Sequence, residues 1–234
     1  LDSSVHELGY ASATTVTSDT VFDGVMVDGK DITAQIGSGT IGALIEQRDT
    51  VLPAAQAELD ELATALIASL NSVHNAGTAL PPPSALAGST TFSASDAFSG
   101  SGTVRFAVTD EDGALVSYQD LDLSAYATVS DLVSALDGIA GMSATLDSSG
   151  RFVIAADDAD TGIAIADIDS AVGDADQGLS DYLGLNDLLT GSDAATIAVR
   201  SDVLSTPGLL ATSMLSVDAS PAVGDVVVSI GESS

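Results

Sequence analysis

A helix-forming segment between residues 39 and 77 constrains the fold more than any other part of the sequence. Within it, side chains recur in steps of three and four at Ile45, Arg48, Leu52, Ala55, Leu59, Leu62, Leu66, Ser69 and Val73. This spacing is a heptad stripe, typical of helices that pack along their length. A helix of about 36 residues rises roughly 1.5 Å per residue and reaches on the order of 50 Å. The sequence therefore predicts a rod that needs a partner along its length.

Proline and glycine residues mark the expected irregularities of this helix. Pro53 has no N–H to donate to the Asp49 carbonyl, and a proline disfavours the helical conformation of the preceding residue, Leu52. We therefore expect a kink at Pro53, or two consecutive helices. The helix is predicted to end near Asn75, before Gly77 and a stiff connector with three prolines at 81–83.

The remaining sequence alternates between strand patterns and turn residues. An Asp-Gly turn inside residues 25–32 predicts a short hairpin before the helix. Two further hairpins are predicted after the connector, the first from residues 103–108 and 115–118 and the second from 142–146 and 151–155. Between them, residues 130–136 carry apolar side chains at helical spacing, with Thr128 or Ser130 as the N-cap. A strand is expected near 163–165.

These elements predict an α+β fold with a discontinuous long-helix rod domain, small β elements and an inserted α+β domain. The insert is mostly β, in the order hairpin, helix, hairpin. The predicted boundaries are a first rod part at 1–79 with its helix at 40–75, a Pro-rich connector at 80–92, the insert at 93–190 and a returning rod part at 191–234. In the returning part we expect a helix at 207–214, packed on the long helix, and a strand at 223–230.

The charge balance excludes whole classes of partner. Five Lys plus Arg stand against 34 Asp plus Glu, which gives a formal net charge of −29. Nucleic acid recognition depends on cationic contacts to phosphate, and anionic membranes repel such a chain, so neither is expected as a partner. The acidic residues are spread through loops and indicate a solvated, self-repelling surface. We hypothesise that the protein works outside the cell in saline water, where screening relieves this repulsion.

Residues that carry chemistry are scarce. The chain has no Cys, and its two His, His6 and His74, have no companions at metal-ligand spacing. His74 lies near the predicted helix end, where a favourable interaction with the helix dipole is the ordinary explanation. Asp-rich loops, such as 110–113, 157–160 and 174–176, leave weak calcium binding open, although none fits the EF-hand pattern. We expect no catalytic, cofactor or metal residue, and no run of about 18 apolar residues suits a membrane span.

Arginine is also rare, so the position of Arg48 on the stripe is informative. An unpaired cation on a packed seam is costly, so we expect Arg48 to form a salt bridge or to donate to carbonyl groups within the rod. The alternative is a solvated pair with the neighbouring Asp49. Arg200, on the returning segment, is expected to serve similarly.

Two stretches resemble a known family. The first contains Gly39, Gly42, Leu44, Ile45, Arg48, Asp49, Leu52, Leu59, Asp60, Leu62, Ala63, Asn71, Val73, His74 and Gly77. The second contains Tyr182, Leu183, Gly184, Leu185, Asn186 and Asp187, followed by Asp193, Ala194, Ala195, Ile197, Ala198, Val199 and Arg200. Both resemble the flagellar hook-associated protein 1 family, the subunit of the hook–filament junction in bacteria.

The resemblance implies a secreted structural protein for motility, exported by the flagellar secretion apparatus and located in the extracellular flagellum. The implied partners are other copies in a ring, the hook protein and the second junction protein, with the insert facing outward. The family's terminal polymerising helices are not visible, so we expect a middle fragment that is monomeric alone and is not an enzyme. Packing is expected at Arg48, Asp49, Leu52, Leu59, Leu62, Leu66, Val73 and Arg200. The alternatives are another flagellar axial protein, flagellin-like or a second junction protein, an acidic calcium-binding surface adhesin, or a hydrolase in the insert.

Overall fold

A computed structural model describes residues 5–16, 20–218 and 220–230. The chain forms two compact units, residues 1–61 and residues 62–234. This division does not coincide with the predicted boundaries at 80–92 and 191, and the discontinuous rod with an insert stays a prediction. The first predicted segment begins with residues 1–4, and the last one ends with residues 231–234. Both of these stretches lie outside the described part of the chain.

The first unit begins with three short antiparallel strands in the order β1-β2-β3. They are β1 (Leu8–Gly9), β2 (Met26–Val27) and β3 (Lys30–Asp31). Between β2 and β3, Asp28 and Gly29 have φ angles of 48° and 77°. Both positive values suit the tight turn that an Asp-Gly pair favours, which confirms the predicted hairpin. A 3-10 helix, Thr33–Gln35, follows.

The long helix is continuous in backbone conformation from residue 39 to residue 75. It consists of α1 (Gly39–Glu46), a π-helical turn (Gln47–Val51) and α2 (Leu52–Asn75), which continues from the first unit into the second. The expected displacement of Leu52 from the helical region is wrong, because its φ and ψ are −66° and −44°. The Leu52 N–H donates to the Gln47 carbonyl five residues earlier. A wider turn thus precedes Pro53 and accommodates the missing donor without ending the helix.

The second unit contains the remaining strands and helices. Its strands are β4 (Ala85–Thr91), β5 (Gly100–Ser101), β6 (Thr103–Asp110), β7 (Leu115–Asp122), β8 (Met142–Leu146), β9 (Arg151–Ala156), β10 (Thr161–Asp167), β11 (Ala171–Val172), β12 (Leu189–Thr190), β13 (Ala198–Val199), β14 (Met214–Leu215) and β15 (Val228–Ser229). Its further helices are α3 (Val129–Asp137), α4 (Leu179–Leu183) and α5 (Ser201–Ser205), with 3-10 turns at Leu123–Ala125 and Pro207–Leu209. Helices together with several small sheets confirm the α+β class.

Two three-stranded antiparallel sheets form the body of this unit. One has the order β10-β6-β7 and the other the order β4-β9-β8, while β5 pairs with β11, β12 with β13 and β14 with β15. Both predicted hairpins and the strand near 163–165 are confirmed. Strand β4 and helix α4 carry weaker patterns, and the sequence did not predict them.

Helix α3 confirms its predicted cap and packs into the main core. The Thr128 hydroxyl accepts the Asp131 N–H at 3.2 Å, and the Asp131 carboxylate accepts the Thr128 N–H at 3.0 Å. This capping box satisfies two backbone donors at the helix start. The apolar side of α3 shares one core with side chains of both sheets, and the fully buried side chains of this core include Phe106, Phe152, Leu132, Leu136, Ile154 and Ile163.

A second, smaller core lies on the other face of sheet β10-β6-β7. The predicted helix at 207–214 is wrong, because only Pro207–Leu209 is helical and Met214 begins strand β14. Leu215, Val227 and Val228 instead lie over this face of the sheet, where they pack against Ala107, Leu115, Ala164 and Ala166. The pairing of Met214 with Ser229 and of Leu215 with Val228 takes the place of the predicted helix.

Candidate functional site

The predicted heptad stripe is solvent-exposed along α2. In the first unit, the side chains of Leu52 and Leu59 are 58% and 52% exposed. In the second unit, those of Leu62, Leu66 and Val73 are 65%, 46% and 71% exposed. We call the three residues of the second unit, Leu62, Leu66 and Val73, the α2 stripe. Large apolar side chains at this exposure are typical of a surface that another protein element covers, and the expected packing role of these residues stays a prediction.

The opposite side of the last turns of α2 is buried, and it is polar. Asn71, His74 and Asn75 are 7%, 7% and 2% exposed. Buried polar groups must be hydrogen-bonded to avoid a large desolvation cost. We call these three residues, together with Asn186 and Asp187, the helix-end clasp, because their side chains join the helix end to residues 180–189 and 211.

Asn71 binds the backbone that leads into β12. Its side-chain oxygen accepts the N–H groups of Leu188 and Leu189 at 2.9 and 2.8 Å, and its amide nitrogen donates to the Leu189 carbonyl at 2.9 Å. One side chain therefore satisfies three backbone groups of a segment more than a hundred residues away, which fixes this segment against the helix.

His74 uses both ring nitrogens. Its Nε2 accepts the Ala211 N–H at 2.9 Å, and its Nδ1 lies within hydrogen-bonding distance of the Asn186 carbonyl. Since a backbone N–H only donates and a carbonyl only accepts, the ring is neutral and carries its proton on Nδ1. The structure gives His74 these two hydrogen-bond partners, and the suggested interaction with the helix dipole stays a prediction. The ring is a structural link, and neither nitrogen is free to transfer a proton.

Asn75 is fully satisfied by four hydrogen bonds. Its amide nitrogen donates to the Asn71 carbonyl at 3.0 Å and to the Asp187 carboxylate at 2.8 Å. Its side-chain oxygen accepts the Ser180 hydroxyl at 2.8 Å and the Asn186 N–H at 2.9 Å. An amide offers two donor hydrogens and two acceptor lone pairs, so Asn75 is used to capacity.

Asn186 and Asp187 complete the clasp from the other side. The Asn186 amide donates to the carbonyls of His74 and Gly77 at 3.0 and 3.1 Å, one in the last turn of the helix and one just beyond it. The Asp187 carboxylate accepts the Ser89 hydroxyl as well as the Asn75 amide. Gly184, which ends α4, has a φ of 64°, and a Cβ there would lie 2.0 Å from the Ser89 hydroxyl oxygen. Only glycine suits this position.

The clasp explains why the two stretches singled out in the sequence occur together. Asn71, His74 and Gly77 belong to the first stretch, while Gly184, Asn186 and Asp187 belong to the second. They are more than a hundred residues apart in the chain, yet they form one buried hydrogen-bond network. The resemblance implied that the second stretch lies where the chain returns to the rod domain, but it did not indicate these hydrogen bonds.

In the first unit, Arg48 pairs with the neighbouring Asp49, the partner in the alternative interpretation, and also reaches the segment before the helix. Its guanidinium donates to both oxygens of Asp49, with an Nη2 to Oδ2 distance of 2.7 Å. These hydrogen bonds raise the pKa of Arg48 and lower the pKa of Asp49. Nη1 lies 3.4 Å from the Tyr10 hydroxyl and from the Asp23 carbonyl, and the guanidinium carbon lies 5.0 Å from the centre of the Phe22 ring. Arg48 thus ties the helix to the preceding extended chain.

The other two informative arginines lie in the second unit. Arg200 follows β13 and occupies the position before α5; it donates to both carboxylate oxygens of Asp202 at 2.7 and 2.6 Å and to the Leu185 carbonyl at 3.4 Å. Arg105, which sequence reasoning missed, is 2% exposed and pairs with Asp120. A lone Arg in an alternating strand gave no signal of burial.

Other kinds of site receive little support from the described residues. Within residues 5–16, 20–218 and 220–230, no group of three or more His, Cys, Asp or Glu side chains could hold a metal ion. The acidic side chains instead stabilise the turns that contain them. In one such turn, Asp110 Oδ1 accepts the N–H groups of Asp112 and Ala114 at 3.0 and 2.8 Å. In the same ranges, none of the helices has the length and apolar character needed to cross a bilayer.

Comparison with protein families finds a similarity over about the first third of the chain. Residues 2–88 match the model of the flagellar hook-associated protein FlgK helical domain. The matched range contains the long helix, the α2 stripe and the helical half of the clasp, Asn71, His74 and Asn75. This match supports a flagellar hook-associated structural protein that assembles with other flagellar components. No curated protein matches the chain.

Proposed function

We propose that the protein is a structural subunit of the bacterial flagellum that forms the junction ring between hook and filament. Its partners in this role are other copies in the ring, the hook protein and the second junction protein. The role is mechanical rather than catalytic, and the chain is exported to the cell exterior by the flagellar secretion apparatus. The observation that carries the proposal is the match of residues 2–88 to the FlgK helical domain.

The exposed α2 stripe supports a role in assembly. Within the second unit, Leu62, Leu66 and Val73 expose apolar surface on a helix whose other side is fixed by the clasp. Charged residues are absent from 62–95 in the sequence, although the chain carries 39 of them elsewhere, as 34 acids and five bases. Core regions of protein interfaces are depleted of charge. A helix face that is apolar and uncharged in so acidic a chain suits permanent packing in an assembly.

Immunogold electron microscopy of intact cells that produce the protein tests this function. Antibodies against residues 91–190 should label a single band at the boundary of hook and filament. Cells that lack the gene for this protein provide the control. Label along the whole filament would instead indicate a flagellin-like axial protein, and label on the cell body would favour a surface adhesin and contradict a flagellar role.

A further inference from the structure

The second unit carries few cations, and the accessible ones lie in one groove. Its basic side chains are Arg105, Arg151 and Arg200. Arg105 is 2% exposed and pairs with Asp120. The side chains of Arg151 and Arg200 are 46% and 15% exposed, and both line a groove of about 560 Å³. In a chain with a net charge of −29, this groove concentrates the accessible positive charge of the second unit.

The groove is open because most residues along it are small. Strand β4, at the edge of sheet β4-β9-β8, contributes Ala87, Gly88 and Ser89. Strand β13, which pairs with β12, contributes Ala198 and Val199. The volume lies within the range of about 300–1,000 Å³ that is typical of binding sites. The groove can therefore receive side chains of another protein segment.

Each arginine uses only part of its guanidinium within the chain. Arg151 Nε and Nη2 lie 2.9 and 2.8 Å from Asp147 Oδ2, and none of the residues that the structure describes accepts from its Nη1. Arg200 Nε and Nη2 donate to Asp202, while its Nη1 makes a long contact of 3.4 Å to the Leu185 carbonyl. A guanidinium offers five N–H donors. Both arginines therefore keep donors for a further carboxylate.

An acidic loop lies at the other end of strand β9. The strand begins at Arg151 and ends at Ala156, and the loop that follows contains Asp157, Asp158 and Asp160. At about 3.3 Å per residue, the strand places the loop roughly 17 Å from Arg151, too far for contact within one chain. All three acids are exposed. None of their carboxylates has a hydrogen-bond or ionic partner among residues 5–16, 20–218 and 220–230.

We propose that the groove binds the 157–160 loop of a second copy of this chain. A contact between two different surfaces of identical subunits is head-to-tail, and it closes into a ring when the rotation between copies allows it. Opposite charges at the two ends of β9 attract in this arrangement and repel when like ends meet. The inference rests on the proposed function, because a ring brings grooves and loops of identical copies together in equal numbers.

Disulfide trapping with the full chain in solution tests the proposal. The chain has no Cys, so Ala159→Cys in the loop and Ala198→Cys in the groove introduce the only two thiols of a double variant. A disulfide needs Cα atoms within about 7 Å, which excludes a link within one chain. At about 0.15 M salt, a Debye length of about 8 Å weakens the net repulsion between copies. Mild oxidation at high protein concentration should then give a ladder of linked dimers, trimers and larger species.

A matched variant controls for charge and exposure. Ala175 also lies in an exposed loop, between Asp174 and Asp176. Ala175→Cys combined with Ala198→Cys should cross-link roughly tenfold more slowly, because recognition depends on the 157–160 loop. Equal ladders from the two double variants would indicate random collision and overturn the proposal, as would the absence of a ladder. Because this test uses isolated copies, its failure would leave the immunogold test of the proposed function unaffected.

A charge exchange tests whether attraction between groove and loop drives the contact. In the variant with thiols at 159 and 198, Arg151→Glu alone and Asp158→Arg alone should each slow cross-linking about fivefold, since like charges then meet. Both substitutions in the same chain restore opposite charges at every contact and should restore most of the rate. Circular dichroism checks that each variant folds. A double exchange no faster than the single ones would overturn the assignment of the loop to the groove.

Discussion

The two faces of the last turns of α2 reverse the usual distribution of side chains. On one face the polar Asn71, His74 and Asn75 are buried, while on the other the apolar Leu66 and Val73 are exposed. The buried face is stabilised by directed hydrogen bonds to residues 180–189 and 211. The exposed face offers only apolar side chains for contacts. The buried face therefore fixes the helix within the chain, and the exposed face is left for contacts beyond it.

The largest effect is expected at Asn75. Replacement by Ala leaves the Ser180 hydroxyl, the Asn186 N–H and one Asp187 oxygen without their partner in a buried place. Orphaned buried polar groups cost about 1–3 kcal/mol each, so Asn75→Ala should lower the free energy of unfolding by about 3 kcal/mol. Urea denaturation followed by circular dichroism measures it. A loss below about 1 kcal/mol would show that water replaces the hydrogen bonds of the amide and that the clasp contributes little to stability.

His74 should rank next, and its two bonds can be separated. His74→Ala removes both links and should cost about 2 kcal/mol. His74→Asn places an amide nitrogen near the position of Nδ1, so it should keep the bond to Asn186 and lose only the bond to Ala211. Thermal unfolding of the two variants tests this order. If His74→Asn were no more stable than His74→Ala, the bond to Asn186 would contribute nothing.

Arg48 provides a comparable test of stability in the first unit. Arg48→Ala removes the pair with Asp49 and the contacts to Phe22 and Asp23, and should destabilise this unit by more than about 1 kcal/mol. Limited proteolysis within residues 5–36, with unfolding monitored in parallel, provides the measurement. Arg48→Lys keeps the charge but loses the bidentate hydrogen bonds to Asp49, and should have an intermediate effect on stability. A change within about half of that value would indicate a solvated pair.

The exposed face should respond least. Leu66→Asp and Val73→Asp should each change the free energy of unfolding of the isolated chain by at most about 0.5 kcal/mol, because no described contact buries these side chains. The same substitutions should abolish incorporation into flagella, which cell motility and the protein content of purified flagella report. A loss of stability comparable to that of Asn75→Ala would mean that both faces of the helix stabilise the isolated chain, which would contradict the proposed difference between them.

A small effect is expected on the way stability falls with pH in the acidic range. The hydrogen bonds from Arg200 lower the pKa of Asp202 in the folded state. A lowered folded-state pKa gives stability that is present above the unfolded value of about 4 and lost as the pH falls below it. Asp202→Asn should therefore flatten the fall in melting temperature between about pH 5 and pH 2. An unchanged slope would show that this half-exposed pair adds little, as surface pairs often do.

Local patterns in the sequence predicted much of the secondary structure, because turns and caps depend on a few neighbouring residues. The Asp28-Gly29 turn, the Thr128 cap and the helix end at Asn75 all follow from such short-range rules. The heptad spacing likewise predicted which leucines share a face. It did not predict that Leu66 is exposed while Asn71 is buried, because the spacing shows which residues lie together and not which partner covers them.

Long-range contacts account for what the sequence did not predict. His74 was interpreted by its place in the helix, but its bonding partners are Asn186 and Ala211, which only the fold brings near. The predicted helix at 207–214 is wrong because the chain ends its 3-10 turn at Leu209 and enters strand β14 at Met214, which pairs with β15. Continuation of the helix through Pro53 depends on a π turn that residue patterns do not indicate.

Site-specific thiol labelling of assembled flagella most directly tests the central claim that the α2 stripe is a packing face. The chain has no Cys, so Leu66→Cys and, as an exposed control in the β8–β9 turn, Ser148→Cys each introduce a single thiol. In the isolated chain both thiols should react rapidly with a maleimide. In purified flagella we expect Cys at position 66 to be protected while Cys at position 148 still reacts. Equal reactivity of the two positions in flagella would contradict the account.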